Sequence, residues 1–458
     1  MDCAWRIRGP GKRDRIEGWA DRVSVLPGER VRLAVSTVAV RYVVRAYRMG
    51  WYGGHLGCLV AVTPPQPGVH QPPARLVAGT RTVESAWRTT TSLDTSGWPP
   101  GDYLLRLDAD GGGERYIPLT VRGTAASAVV LVNAVTTWQA YNDWGGYTLY
   151  HGPGGRADFP GRSRAVSFDR PYAGDGAGEF VGRELPLIAL ADRLRLPLDY
   201  VTDVDLDRLP TLLNGARAVV SLGHDEYWSA RMRDAVTRAR DAGSNLAFLG
   251  ANAVFRRIRL GPTAIGPDRL EVNYKVPAED PLDHVHDSLI TGDWPFPPAA
   301  DPESSLTGVM YDCFPARGDL VVVDPGSWLF AGTGVRSGQR LVGVIGPESD
   351  RVNLSWPTPR PIEVLTHSML NCKGRPTFAD SAYYTVPSGA GVFASGTINW
   401  DCAISRFCSH APDAGSDRIV QRVTENLLRA FAAGPAGRAH PAVDNLTRLR
   451  IGRSAGPY

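Results

Sequence analysis

Apolar and polar positions alternate in two different rhythms along the chain, and the change of rhythm falls near residue 125. Before it, the apolar runs are short and β-branched or alternating: Arg22 to Leu26, Val31 to Val35, Val38 to Tyr47, Tyr103 to Leu107 and Arg115 to Val121. Turn residues such as Pro27-Gly28 and Gly111-Gly112-Gly113 separate them. Strands of this length, with turns about 8–12 residues apart, predict an antiparallel sandwich. After residue 125, strand-like and helix-like stretches take turns. Ala128 to Val132, Leu198 to Thr202, Ala216 to Leu222 and Asn245 to Leu249 read as buried strands. Between them Leu185, Ile188, Leu190, Ala191 and Leu194 recur at helical spacing, and Leu206 to Leu213 reads as a short helix. Ser229 has the character of an N-cap before a helix stopped by Gly243. This alternation predicts a parallel sheet with crossover helices, doubly wound in the flavodoxin or amidotransferase manner. Residues 261–360 show little periodicity and read as long loops. Regularity returns at Ala390 to Gly396 and in a terminal helix where Ile419, Val423, Leu427 and Phe431 fall four apart.

The predicted organisation is therefore an immunoglobulin-like β-sandwich over residues 1–122, a doubly wound α/β domain over 123–435, and a surface tail over 436–458. A chain of 458 residues exceeds what one ordinary core accommodates, which agrees with more than one domain. Fifty basic against 47 acidic residues, a net charge of +3, offer no electrostatic footprint for nucleic acid or an anionic membrane. No apolar run approaches the roughly 20 residues of a membrane span. Six cysteines without a Cys-x-x-Cys pair suggest neither a disulfide framework nor a zinc-thiolate site, so a reduced, cytoplasmic protein is expected.

Ligands of open parallel sheets bind beyond the carboxyl ends of the strands. Three such ends are unusually polar: Asn133 to Tyr147, with two tryptophans and two tyrosines; Gly223-His224-Asp225-Glu226-Tyr227-Trp228; and Gly250-Ala251-Asn252-Ala253. A plain connecting loop seldom carries so much apparatus. Charge at a helix N-terminus alone would explain Asp225 and Glu226, and ring burial alone would explain Tyr141. No Gly-x-Ser-x-Gly elbow, His-Glu-x-x-His or phosphate-binding loop is present, and the 223–228 turn has no cysteine. A metal or a bare general base is the engine that remains.

The motifs Thr137 to Gly146, Gly223 to Trp228 and Gly250 to Asn252 resemble the large-subunit family of N,N-dimethylformamidase. So do Tyr47 to Gly54, Trp98 to Tyr103 and Ala379 to Phe393. The resemblance implies a β-sandwich followed by an amidotransferase-like domain, and a mononuclear ferric iron held by two tyrosines and a glutamate. It makes Tyr141 the first tyrosine, Glu226 the carboxylate and Tyr172 the second tyrosine, with Tyr147 or Tyr150 as competitors. It places His224, Asn252, Lys275 and Glu363 around the reacting groups. Hard oxygen ligands suit a hard ion, and only a strong Lewis acid would hold a phenol ionised near neutral pH. The implied activity is hydrolysis of a small linear amide by metal-activated water. His224 or Glu363 would move the protons, and Asn252 would meet the oxyanion. Further copies of the chain and a small subunit are the implied protein partners. The alternative is a non-catalytic module of the same fold that binds a carbohydrate or peptide.

Overall fold

The computed structural model describes residues 2–8, 15–404 and 413–452. It is mixed α/β, rich in strands and sparing in helices. The N-terminal part holds a three-stranded sheet and a six-stranded one. Ile16, Val31, Leu33 and Val35 of the first meet Val44, Leu105, Leu107, Ile117 and Leu119 of the second in a common core. Alternation decides which side chains go where, because successive residues of a strand face opposite ways. Tyr47, Leu104 and Tyr116 thus point out of that core and pack instead on Leu187, Leu190 and Tyr200 of the following part. Of the aromatic run beginning at Tyr47, Tyr47 itself is interior, while Trp51 and Tyr52 are half-buried. The Trp51 amide donates to Asp192 at 2.8 Å across the same junction.

The central sheet has seven strands: β1 Val129–Asn133, β2 Leu198–Thr202, β3 Ala218–Leu222, β4 Asn245–Leu249, β5 Ile362–Cys372, β6 Arg375–Thr385 and β7 Gly391–Ala394. Their order is β2-β1-β3-β4-β7-β6-β5. The first five strands in that order pair in parallel, and β7-β6-β5 closes as an antiparallel meander. Short Val/Leu/Ala-rich strands buried on both faces are what a parallel sheet requires. Val129, Leu131, Val220 and Leu249 lie on one face with helices α2 (Leu185–Arg193) and α5 (Ala414–Ala433). Val130, Val132, Val219 and Phe248 lie on the other with α3 (Asp203–Arg208) and α4 (Ala230–Asp241). Ser229 caps α4 by accepting from the Met232 amide, as its sequence position predicts.

Some expectations change. The stretch after β1 is no open loop: Val135–Tyr141 forms helix α1, with all residues but Tyr141 buried. A helix buried all round shows no apolar stripe, so its sequence carries no helical period. Residues 261–360 contain several short strands, including Arg256–Gly261 running into the region, Met310–Cys313, Arg340–Ile345 and Ser349–Arg351. Residues 436–452 lie against the central sheet, where Leu446 joins the core and the Asn445 amide donates to the Val364 carbonyl at 2.9 Å; residues 453–458 fall outside the described chain.

The cysteines also depart from expectation. Cys3 bonds to Cys58 and Cys313 to Cys372, with sequence separations of 55 and 59. Cys402 is disulfide-bonded as well, and no described cysteine is free. Pairings across such separations leave no local spacing to read. A cross-link that closes a loop this long restrains the unfolded chain by about 2–4 kcal/mol. The double variant Cys313→Ala/Cys372→Ala should accordingly lower the urea midpoint clearly. An unchanged midpoint would show that the bridge adds nothing.

Candidate active site

In a 2-1-3-4 strand order the chain leaves β1 and β3 in opposite lateral directions, which opens a crevice at their carboxyl ends. The loops there are stitched together before any chemistry is considered. The Thr137 hydroxyl accepts from the Glu226 amide at 2.9 Å, and the Thr136 hydroxyl donates to the Tyr227 carbonyl at 2.7 Å. Asp225 accepts from Ser221 and the Trp228 indole at 2.8 and 2.7 Å, so its role is to fix the turn. The β3 and β4 turns touch backbone to backbone. A Cβ on Gly250 would lie 1.7 Å from the Gly223 carbonyl oxygen, so this approach requires glycine.

Three oxygens converge in the crevice. The Tyr141 hydroxyl donates to Glu226 Oε2 at 2.7 Å, and the Tyr150 hydroxyl lies 2.7 and 2.9 Å from the two Glu226 oxygens. The two hydroxyls are 2.8 Å apart, and their rings stack with centroids at 4.6 Å. Tyr150, not Tyr172, is the second tyrosine in this cluster. Tyr147 is not part of it either; its carbonyl accepts from Arg170 at 3.1 Å. Tyr172 stands to one side, its ring edge-on to Trp138 at 6.2 Å.

Positive groups surround the carboxylate. Arg256 Nε donates to Glu226 Oε1 at 3.1 Å and its guanidinium also pairs with Asp293. Lys275 is buried, donates to the Tyr227 hydroxyl at 2.5 Å and lies 3.7 Å above the Tyr150 ring. His224 Nε2 is 3.4 Å from Glu226 and 3.5 Å from Glu348. Asn252 reaches the same place: its backbone amide donates to Asp350 at 2.9 Å, and its side chain lowers the Glu348 pKa. Glu363 does not reach it. That carboxylate accepts from the Val443 amide at 3.5 Å. Glu348 is the glutamate the structure brings to the cluster, and sequence reading missed it. It follows Gly346-Pro347 in a stretch with no periodicity, and no motif marks it.

Electrostatics follow from burial and from these neighbours. Burial opposes the charge of Glu226, yet His224, Arg256 and Lys275 outweigh it and hold the carboxyl far below its usual range. Burial, reinforced by that carboxylate, keeps the Tyr141 phenol well above its usual range, and burial does the same at Tyr150. Burial also pushes Glu348 up and Lys275 well down. At His224 burial works against the charge, but Glu348 and then Glu226 overcome it and raise the imidazole from 6.5 to about 9. A folded-state value above the unfolded one means that this ring stabilises the fold fully below 6.5, and that the contribution is lost as pH rises through about 9. The metal-free protein should therefore lose urea stability between those values, and His224→Gln should flatten the loss. A wild-type slope unchanged in the variant would refute the assignment.

The cluster suits a hard cation. Two phenols and a carboxylate, if ionised, supply three negative oxygens, which match a trivalent ion. Asn252 Oδ1 is buried at its edge without a hydrogen-bond partner, a condition that polar groups rarely tolerate unless something else meets them. Among the described residues no three His, Cys, Asp or Glu side chains form a metal-ligand group; the set is complete only when phenols are counted.

A family model described as N,N-dimethylformamidase beta subunit-like, C-terminal, matches residues 43–414. The chain belongs to this family. The match begins inside the strand Arg41–Met49 and covers every group of the cluster. No curated protein matches. Among solved structures, a Paenibacillus sp. cycloisomaltooligosaccharide glucanotransferase complexed with cycloisomaltoheptaose is 9% identical with a TM-score of 0.17. The alignment covers 60% of this chain and 36% of that one, and the likeness carries no argument about fold or function.

Proposed function

We propose that the chain is a metal-dependent hydrolase of small linear amides, with ferric iron held by Tyr141, Tyr150 and Glu226. The observation that carries this reading is the convergence of those three oxygens at 2.7–2.9 Å from one another at the strand-order switch point. The β2-β1-β3-β4-β7 order also supports a flavodoxin- or amidotransferase-like α/β domain, and the two facing N-terminal sheets support an immunoglobulin-like sandwich. The bound ion would supply Lewis acidity, polarising a carbonyl and making water a stronger acid.

The protein's own groups would do the rest. In the overall reaction water adds to the amide carbon, the C–N bond breaks, and the nitrogen takes a proton to leave as an amine. Glu348, whose carboxylate burial makes a stronger base, is placed to accept the proton of the attacking water. His224, still charged at neutral pH, is placed to give a proton to the departing nitrogen. Asn252, beside Glu348, is placed to meet the oxyanion that forms as water adds. Arg256 places positive charge beside the Tyr150 phenol and so favours its ionisation. The disulfides favour an oxidising compartment over the cytoplasm as the place of work.

Purified protein reconstituted with ferric salt should bind iron in equimolar amount, show a tyrosinate-to-iron absorption band in the visible, and release amine from N,N-dimethylformamide or a close homologue. Protein that stays colourless and iron-free after reconstitution would refute the metal assignment. Iron binding without hydrolysis of any small amide would refute the activity.

A further inference from the structure

A cleft of about 130 Å³ adjoins the cluster, with Tyr141 in one wall. Its other walls include Trp138, Tyr172 and Phe180, and Glu179 stands at the rim. Trp138 meets both other rings edge-on, with centroids 6.2 Å from Tyr172 and 5.9 Å from Phe180. These rings are set by the fold: the Trp138 indole donates to Glu184 at 2.8 Å, and Phe180 is buried. Glu179 is exposed, and its charge is felt by His224, which links the rim to the reacting groups. A volume of this size admits a group of a few heavy atoms and little more.

We infer that this cleft is a binding site for a small alkylammonium ion, the protonated amine released when the amide C–N bond is cut. The inference rests on the proposed hydrolysis for the identity of its ligand. Aliphatic amines, like the lysine side chain, are protonated near neutral pH. The amine thus leaves the reacting groups as a cation and enters a box built for one. A neutral N-alkyl group gains only apolar contact there. The site thereby favours product separation, and it makes the amine a competitive inhibitor. Tyr172 is a wall of this box rather than a ligand of the metal.

The test is calorimetric titration of the full protein with tetramethylammonium and with tert-butyl alcohol, a neutral molecule of similar size. Tetramethylammonium is expected to bind about tenfold more tightly than the alcohol, the scale that cation–π contact supplies. Tyr172→Leu should weaken the cation about tenfold while Tyr172→Phe, which keeps the ring face, stays within about twofold. Glu179→Gln, on an exposed side chain, should weaken it about threefold without touching the core. Equal binding of the alcohol and the cation would overturn the inference, as would wild-type affinity in both Tyr172→Leu and Glu179→Gln. The measurement needs neither metal nor turnover. Cation binding by a protein that never takes iron would leave this site standing and the hydrolase reading refuted, and iron-dependent hydrolysis without cation binding would do the reverse.

Discussion

Glu226→Gln is expected to give a folded protein that takes up no iron and loses amide hydrolysis by about 10³-fold or more, since even groups one shell removed from a metal cost 10–100-fold. The carboxylate receives both phenols and Arg256 at once, so it is the group through which the cluster is assembled. Glutamine keeps its volume and one acceptor but removes the negative charge that faces His224, Arg256 and Lys275. Burying those cations without their partner destabilises the fold, so far-UV circular dichroism and a urea midpoint must accompany the metal analysis. Two tyrosine variants divide the alternatives left open by the sequence. Tyr150→Phe should abolish iron binding and the visible band. Tyr172→Phe should retain both. Iron at wild-type stoichiometry in Glu226→Gln would sink the ligand assignment, and loss of iron in Tyr172→Phe alone would return Tyr172 to it.

Much of the scaffold of this site is written in local patterns. Val129 to Val132, Ala218 to Leu222 and Asn245 to Leu249 are short apolar runs, and such runs announce buried parallel strands. Ser229 announces its helix by the chemistry of a cap. Once those strands are in one sheet, the polar stretches after them share a crevice; Tyr141, His224, Glu226 and Asn252 stand there, and the family resemblance is what singles them out. The groups left open, as Tyr150 was, or missed, as Glu348 was, come from elsewhere in the chain. Tyr150 lies past the Gly145-Gly146 turn, where Arg170 gathers the carbonyls of Asn142, Trp144 and Tyr147 and so folds the segment back. No periodicity records a turn held by an arginine 20 or more residues away. Glu348 arrives through the strand Ser349–Arg351, which pairs with Met310–Cys313, a pairing between two irregular stretches. Glu363 has the local look of a strand acid and is one, but β5 is the far edge of the sheet. Helix α1 hid because it is buried all round, and the disulfides hid because their partners are far apart in sequence.

Glu348→Gln tests the least legible of these groups. The variant is expected to keep its iron, because Glu348 is not among the three converging oxygens, and to lose about 10²- to 10³-fold in kcat, the range of a general base. The shape of the pH profile matters more than the size of the loss. Glu348 is the foremost of the groups that raise the His224 imidazole to about 9. Without that charge the imidazole falls back toward its ordinary value, and a reaction that needs it protonated loses its alkaline limb at lower pH. The expected result is therefore a fall in kcat together with a downward shift of the alkaline limb, read in pH–rate profiles of the iron-loaded enzyme. His224→Gln should abolish that limb altogether. Glu363→Gln, beside Ser327 and Val443, should leave kcat within about twofold, as a substitution outside the crevice does. A fall in kcat with the limb unmoved would show that Glu348 does not hold the proton on His224. An effect at Glu363 as large as at Glu348 would mean that the crevice drawn here is not where the amide is cut.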